Sequence, residues 1–204
     1  MILDERGAAK ALKEAWKEGY IISPGREMMN IYTAKWAVVA PVRMLPLQVS
    51  QALVEHVGHI PVDPEKVKKG EVNQTVMNDD VDWRAEQIER IRQRSTLMRK
   101  LPVIYKGKWQ LYYTEKTEKM QVFAFDQELL GIISEESYCD TYVTLDGLGL
   151  WSENTQMVTI APAKFSLADQ KAINRIAAIF AEEKVSQEEV ENVCLFDDLE
   201  DDDE

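Results

Sequence analysis

Cysteine, histidine and long apolar runs are all scarce in this sequence of 204 residues. The two cysteines, Cys139 and Cys194, cannot build a disulfide framework, so the sequence predicts a reducing, cytoplasmic location. No window approaches the roughly 18 consecutive apolar residues that a membrane span needs. The N-terminal stretch is charged from Asp4 onward, so we expect neither a signal peptide nor a transmembrane helix.

The composition is otherwise that of a globular protein, with 45% apolar and 29% charged residues. These fractions exclude collagen-like, low-complexity and wholly disordered chains. The length predicts one main domain over residues 1–181, with a candidate sub-boundary in the connection 61–79. An acidic C-terminal helix and tail follow over residues 182–204.

The net charge of −12 is concentrated at the C-terminus. Residues 182–204 hold twelve acids and one base, whereas the rest of the chain holds 24 acids and 23 bases. Like charges repel and resist packing, so we expect the last eight residues to form a mobile acidic tail. Residues 84–119 have the opposite bias, with ten bases and four acids.

Helical periodicity and end signals predict five helices. One covers residues 4–19, a second carries the apolar stripe from Val49 to Val57 and ends at Gly58, and the others span 81–100, 167–181 and about 186–194. The prolines and missing periodicity of residues 61–79 predict a long exposed connection.

Aromatic and β-branched runs separated by short polar breaks predict strands. A short strand is expected over residues 36–39, and seven more over 102–105, 109–114, 120–125, 129–133, 141–145, 148–152 and 157–161. The fold class is therefore α+β: an antiparallel sheet, a meander over roughly residues 102–161, flanked by N- and C-terminal helices.

Three groups of residues have the composition of a reactive or metal site, and each also has a structural interpretation. His56 and His59 are three residues apart and could share a metal ion, but both also suit the carbonyl-rich end of a helix. Asp79, Asp80 and Asp82 could bind a cation, but they also suit a helix start.

The third group is Cys139 with its sequence neighbours. Cys139 precedes Asp140, and a thiolate needs a base or a positive field rather than an acid beside it. In all three groups the structural interpretation has the better mechanism. We therefore predict no catalytic residue, no metal and no cofactor.

The basic stretch interleaves cations with aromatic side chains, as single-stranded nucleic-acid sites do. The candidate nucleic-acid-binding residues are Arg90, Arg94, Arg99, Lys100, Lys106, Lys108, Trp109 and Tyr112. The alternative is that Glu86 pairs with Arg90 and that some of the aromatics belong to the core. Strand alternation puts Trp109 and Tyr112 on opposite faces, so not all of these aromatics can be exposed.

The C-terminal segment combines apolar anchors with dense acids, as docking peptides do. The candidate partner-binding residues are Leu195, Phe196, Asp197, Asp198 and Leu199. The segment could equally fold back on the basic stretch of its own chain, or solubilise the protein with Leu195 and Phe196 packed on the body.

Two functions follow from these patterns. The first is a non-enzymatic interaction protein, of a type found in phages or mobile elements, whose acidic tail engages a basic protein partner by imitating nucleic-acid charge. The second is a single-stranded nucleic-acid-binding protein that uses the arginine-rich helix and aromatic hairpin, with the tail as autoinhibitor or docking peptide. An enzyme is the least supported alternative.

Overall fold

The computed structural model describes residues 1–25, 27–62, 65–68, 71–74, 85–114, 120–137 and 139–180. The acidic residues 182–204, the five candidate partner-binding residues and the three candidate cation ligands Asp79, Asp80 and Asp82 lie outside these ranges. None of the described helices combines the length and apolar composition needed to cross a bilayer.

The described residues form helices and an antiparallel sheet, which confirms the α+β class. The helices are α1 (Glu5–Glu18), α2 (Leu47–Val57), α3 (Ala85–Gln93), α4 (Gln127–Leu130) and α5 (167–180). The predicted helices at 4–19, 49–57 and 167–181 are confirmed. Helix α2 ends at Gly58 as expected, because this glycine adopts the left-handed conformation with φ of 91°.

Eleven strands of the described residues pair into one sheet, in the order β5-β4-β1-β2-β3-β11-β10-β9-β6-β7-β8. The strands are β1 (Ile21–Pro24), β2 (Met28–Tyr32), β3 (Trp36–Pro41), β4 (Glu65–Lys68), β5 (Glu71–Gln74), β6 (Thr96–Tyr105), β7 (Trp109–Thr114), β8 (Val122–Asp126), β9 (Thr141–Val143), β10 (Gly149–Glu153) and β11 (Gln156–Ile160). Every pairing is antiparallel.

The region predicted as one meander is divided into two. Strands β6, β7 and β8 follow one another, but β9 then returns beside β6 and continues through β10 to β11. A fourth strand that lies beside the first of three consecutive strands is the Greek-key arrangement. Strand β8 is consequently an edge of the sheet.

Three predicted elements differ from the structure. The predicted helix 81–100 is too long, because α3 ends at Gln93 and Thr96 begins strand β6. Residues 129–133 are not a strand, because Asp126 caps the short helix α4 by accepting the Glu128 N–H at 3.0 Å. The connection 61–79 contains the hairpin of β4 and β5.

The sheet separates two layers of helix. Along β2 and β3, for example, Met29 and Val38 pack in the large core cluster with α1 and α2, whereas Met28 and Val39 pack with α3 on the other face. Helix α5 covers the same outer face over β6, β7 and β8, where Leu111 meets Ile173. This alternation is the period of two expected for strands that are buried on both faces.

An aromatic cluster shows that the sheet curls around the inner core. Phe125 on β8 and Trp151 on β10 have three strands between them, which is about 19 Å in a flat sheet. Their ring centroids nevertheless lie 5.3 Å apart, with Tyr112 packed against both. The curl brings the edge strand β8 close to the segment that follows β11, where the Ala163 N–H donates to the Ala124 C=O at 2.8 Å.

Candidate interaction surfaces

Arg90 and Arg94 lie at the C-terminal end of α3 and in the turn that follows it. Both are exposed, and neither makes an ion pair with a described residue. Ser95 ends the helix there by donating its hydroxyl to the Ile91 carbonyl at 2.7 Å. These two arginines have the exposure that a binding surface needs.

Arg99 and Lys100 are neighbours on β6, so their side chains point to opposite faces of the sheet. Arg99 pairs across the sheet with Tyr113 on the outer face, whereas Lys100 pairs with Tyr112 on the inner face. One ligand strand lying on one face of the sheet cannot contact both side chains.

Lys106 and Lys108 lie in the turn between β6 and β7 and form ion pairs within the protein. Lys106 Nζ is 2.8 Å from Asp169 Oδ1, and Lys108 Nζ is 3.0 Å from Asp126 Oδ2. Lys108 also lies over the ring of Trp109, with Nζ 4.8 Å from the ring centroid. Exposed pairs of this kind are weak, but they occupy the charges that a phosphate would need.

Asp169 is the centre of the polar network at the start of α5. Its Oδ1 accepts the Tyr105 hydroxyl at 2.7 Å as well as Lys106, and its Oδ2 accepts the Ser166 hydroxyl at 3.0 Å. These donors, Lys106 first, lower the pKa of the Asp169 carboxyl to about 2. Ser166 also accepts the Asp169 N–H, which is the helix start predicted from the sequence.

The two aromatic candidates both pack against the protein. Trp109 is half-buried and meets Phe165 edge-on at 5.6 Å between centroids. Tyr112 exposes only 6% of its surface, and burial raises its pKa to about 12. The strand register turns the Tyr112 side chain toward the inner core, so its ring offers no exposed face on which a base could stack.

The structure therefore does not bring the eight candidate nucleic-acid-binding residues together on one surface. Arg90, Arg94 and Arg99 belong to the outer side of the sheet, Lys100 to the inner side, and Lys106, Lys108 and Trp109 to the turn near α5.

The histidines differ in their surroundings. His56 stacks on Trp16 at 4.4 Å between centroids, and its Nδ1 shares a 2.8 Å hydrogen bond with the Tyr20 hydroxyl. Burial lowers the pKa of His56. Glu55 is paired with Lys13 at 2.9 Å, and His59 follows the helix-ending Gly58. Within the described residues, no three His, Cys, Asp or Glu side chains are grouped so as to hold a metal ion.

Cys139 lines a cavity of about 320 Å³ on the inner side of the sheet, together with Lys100, Tyr112 and Trp151. Burial raises the pKa of its thiol, and the charges of Glu153 and Asp140 raise it further. A thiol with a raised pKa is mostly protonated at neutral pH and is a poor nucleophile.

A groove of about 510 Å³ lies between the edge strand β8 and helix α5. We call it the β8–α5 groove. Its apolar wall includes Val122, Phe123, Phe165 and Ile173, and its polar groups are the amides of Gln121, Gln170 and Asn174. None of its lining residues is charged. Sequence reasoning missed this groove, because it depends on the curl that brings residues 162–165 beside β8.

No protein-family model matches this chain, and a search of curated proteins found no match to it. The functional interpretation accordingly depends on the residues of the chain itself.

Proposed function

We propose that this protein is a non-enzymatic interaction protein whose acidic C-terminal segment, residues 182–204, engages a basic protein partner by imitating the charge of nucleic acid. The observation that carries the proposal is the charge of that segment, which holds twelve acids and one base, while the rest of the chain holds 24 acids and 23 bases. Lys106 and Lys108 are held by Asp169 and Asp126, and Arg92 is held by Glu89 at 2.6 Å. These three bases of the stretch 84–119 are already paired within the body, so fewer of its cations are left to neutralise the twelve acids of the segment.

The surroundings of the reactive side chains favour a binding role over catalysis. His56 is engaged by Trp16 and Tyr20, and the raised pKa of the half-buried Cys139 thiol keeps it mostly protonated at neutral pH. General-base and nucleophilic catalysis both require such groups to be positioned toward a substrate. These side chains instead have partners within the protein.

The same contacts favour a protein partner over a single strand of nucleic acid. A single-strand site needs cations along one groove and exposed aromatic faces beside them. Arg99 and Lys100 are on opposite faces of the sheet, and Tyr112 is buried. The nucleic-acid function remains the alternative that the following experiment tests.

The experiment measures fluorescence anisotropy of a labelled oligolysine peptide and of a labelled single-stranded oligonucleotide, at low and high salt. The test variant replaces the last four acids with amides: Asp201→Asn, Asp202→Asn, Asp203→Asn and Glu204→Gln. The matched control makes the same change of charge at four exposed acids of the body: Glu27→Gln, Glu135→Gln, Glu136→Gln and Asp146→Asn.

We expect the test variant to bind oligolysine at least about fourfold more weakly, since each exposed charge pair contributes about 0.2–1 kcal/mol and four acids are removed. The control should retain most of the affinity, and high salt should weaken both through screening. Equal losses in the two variants, or no oligolysine binding by the natural chain, would contradict the proposal. Oligonucleotide binding that strengthens in the test variant would support the alternative function.

A further inference from the structure

The β8–α5 groove has an open backbone edge along one wall. In an antiparallel pair, successive residues direct their N–H and C=O groups alternately toward the partner strand and away from it. Gln121 directs its C=O toward β7, where it accepts the Thr114 N–H at 3.0 Å. Ala124 directs its C=O away from β7, where it accepts the Ala163 N–H. Val122 has the same orientation as Ala124, because residues two apart on a strand turn the same way. Its N–H and C=O face the groove, where no described segment pairs with them. An extended segment could hydrogen-bond to them, as peptides do at other sheet edges.

The other wall presents an apolar and amide surface on α5. Leu167 is 84% exposed and lies on the same helix face as Gln170 and Asn174, at a spacing of three and seven residues. Amide side chains both donate and accept, so Gln170 and Asn174 can bond to a peptide backbone of either direction.

Three cations are sequence neighbours of residues that line the groove. Lys164 lies between Ala163 and Phe165, Lys171 follows Gln170, and Arg175 follows Asn174. All three are exposed and make no ion pair with a described residue. An apolar groove with positive charge around it suits an occupant that combines apolar anchors with acids.

The chain carries such an occupant. Residues 195–199 read Leu-Phe-Asp-Asp-Leu, and the spacing of four residues puts Leu195 and Leu199 on one face of either a helix or a strand. We propose that the β8–α5 groove binds residues 195–199 of the same chain.

The length of chain between the two sites permits this contact. Asn174 and Gln170 precede the end of α5 at residue 180 by about 9–15 Å along the helix axis. The 14 residues from 181 to 194 span about 46 Å when extended and about 21 Å when helical. Either conformation can return the segment to the groove, and the five acids of residues 200–204 would remain in solvent.

Cys194 precedes the proposed anchors and reports on their position in the full-length chain. We would introduce Gln121→Cys or Asn174→Cys at the groove, in a Cys139→Ser background, and follow disulfide formation with Cys194 under mild oxidation. Gln51→Cys is the matched control, since it is an exposed helix position on α2, on the other side of the sheet.

We expect a disulfide within one molecule to form at least about tenfold faster at one of the groove positions than at the control. A tethered segment without a preferred site encounters all three positions at a similar, millimolar effective concentration. Replacing Leu195 and Leu199 with serine should reduce the rate at the groove to that of the control.

Equal rates at all three positions would overturn the inference, and so would groove rates that do not change when the leucines are replaced. Disulfide-linked dimers in place of cross-linked monomers would also overturn it, because the occupant would then come from a second copy. The readout does not involve oligolysine, so its failure is distinguishable from failure of the proposed function.

Discussion

Substituting Gly7 with alanine tests the contact that fixes α1 against the turn after α4. Gly7 lies in the first turn of α1, and its N–H donates to Asp4 Oδ1 at 2.7 Å. A Cβ at this position would overlap the carbonyl group of Gly131, at 2.5 Å from the carbonyl carbon. Real Cβ atoms essentially never approach another heavy atom closer than 3.0 Å, so α1 or the turn must move.

The two opposing effects of this substitution have different magnitudes. Alanine stabilises a helix by about 1 kcal/mol relative to glycine. Overpacking costs about 1–3 kcal/mol, and more where the obstacle is backbone, which cannot change its rotamer. Displacing α1 would also disturb the buried Ile2, whose N–H donates to Gln156 Oε1 at 2.8 Å and whose C=O accepts the Ser134 N–H at 2.8 Å. We therefore expect Gly7→Ala to destabilise the protein by about 2 kcal/mol, which corresponds to a fall in Tm of about 4–8 °C.

Urea unfolding followed by circular dichroism and tryptophan fluorescence measures this change. The control is Gly131→Ala, on the other side of the same contact. Its Cβ would not approach α1, and the φ of −60° at Gly131 suits alanine; the 3.1 Å contact of this Cβ with Glu128 O is tight, so we expect a small loss of stability, below that of Gly7→Ala. If Gly7→Ala matched or exceeded the natural protein in stability, the close approach of α1 to Gly131 would be refuted.

Two further predictions concern pH. Burial lowers the pKa of His56 below its ordinary value of 6.5. The stabilising contribution of neutral His56 is therefore complete above pH 6.5 and is lost as the pH falls through the lower pKa of the folded protein. Between about pH 7 and pH 5, the urea midpoint should fall less for His56→Gln than for the natural protein. The bonds from Lys106 and Tyr105 lower the pKa of Asp169 from 3.8 to about 2, so its contribution is complete above 3.8 and is lost toward pH 2. Asp169→Asn should remove that part of the acid destabilisation, and identical acid profiles for the two proteins would contradict the network at the start of α5.

Local signals predicted the elements whose ends are determined by neighbouring residues. Gly58 ends α2, and the Ser166–Asp169 pair begins α5, because each signal acts within one helical turn. The error at 81–100 arose because Ile88, Ile91 and Met98 fit a helical stripe equally well. Met98 instead faces the inner core from β6, in a pairing with Thr114 that joins distant parts of the chain.

Pro102 illustrates how a local signal can be overridden by tertiary pairing. A proline normally argues against an interior strand, because it has no N–H to donate. Strand β9 covers β6 only at Thr96–Met98, and the β6–β7 register shifts between Lys100 and Ile104. Pro102 therefore lies at an irregularity beyond the part of β6 that β9 covers.

For the candidate nucleic-acid site, the sequence could predict which types of residue are present but not where their side chains lie. The sequence identified the bases of residues 84–119 and their aromatic neighbours, but not their partners. Lys106 is 63 residues from Asp169, and no period or motif relates the two. The same limit explains why the β8–α5 groove was missed: its walls meet only after the sheet has curled.

The two proposals concern one segment and are therefore linked thermodynamically. Burying a Leu or Phe side chain contributes about 1.5–3 kcal/mol, and part of this is offset by ordering the segment. If two or three such side chains together gave a net of about 4 kcal/mol, which corresponds to a Kd of about 1 mM, the contact would be substantially occupied within one chain, because the tether supplies a millimolar effective concentration. The anchors Leu195 and Leu199 and the acids of residues 200–204 are different side chains, so a basic partner can approach the acids before the anchors leave the groove.

If partner binding weakens the groove contact by some factor, the groove contact weakens partner binding by the same factor. A partner that binds more weakly than the groove contact would then leave the segment bound to its own chain, and a partner that binds more tightly would displace it.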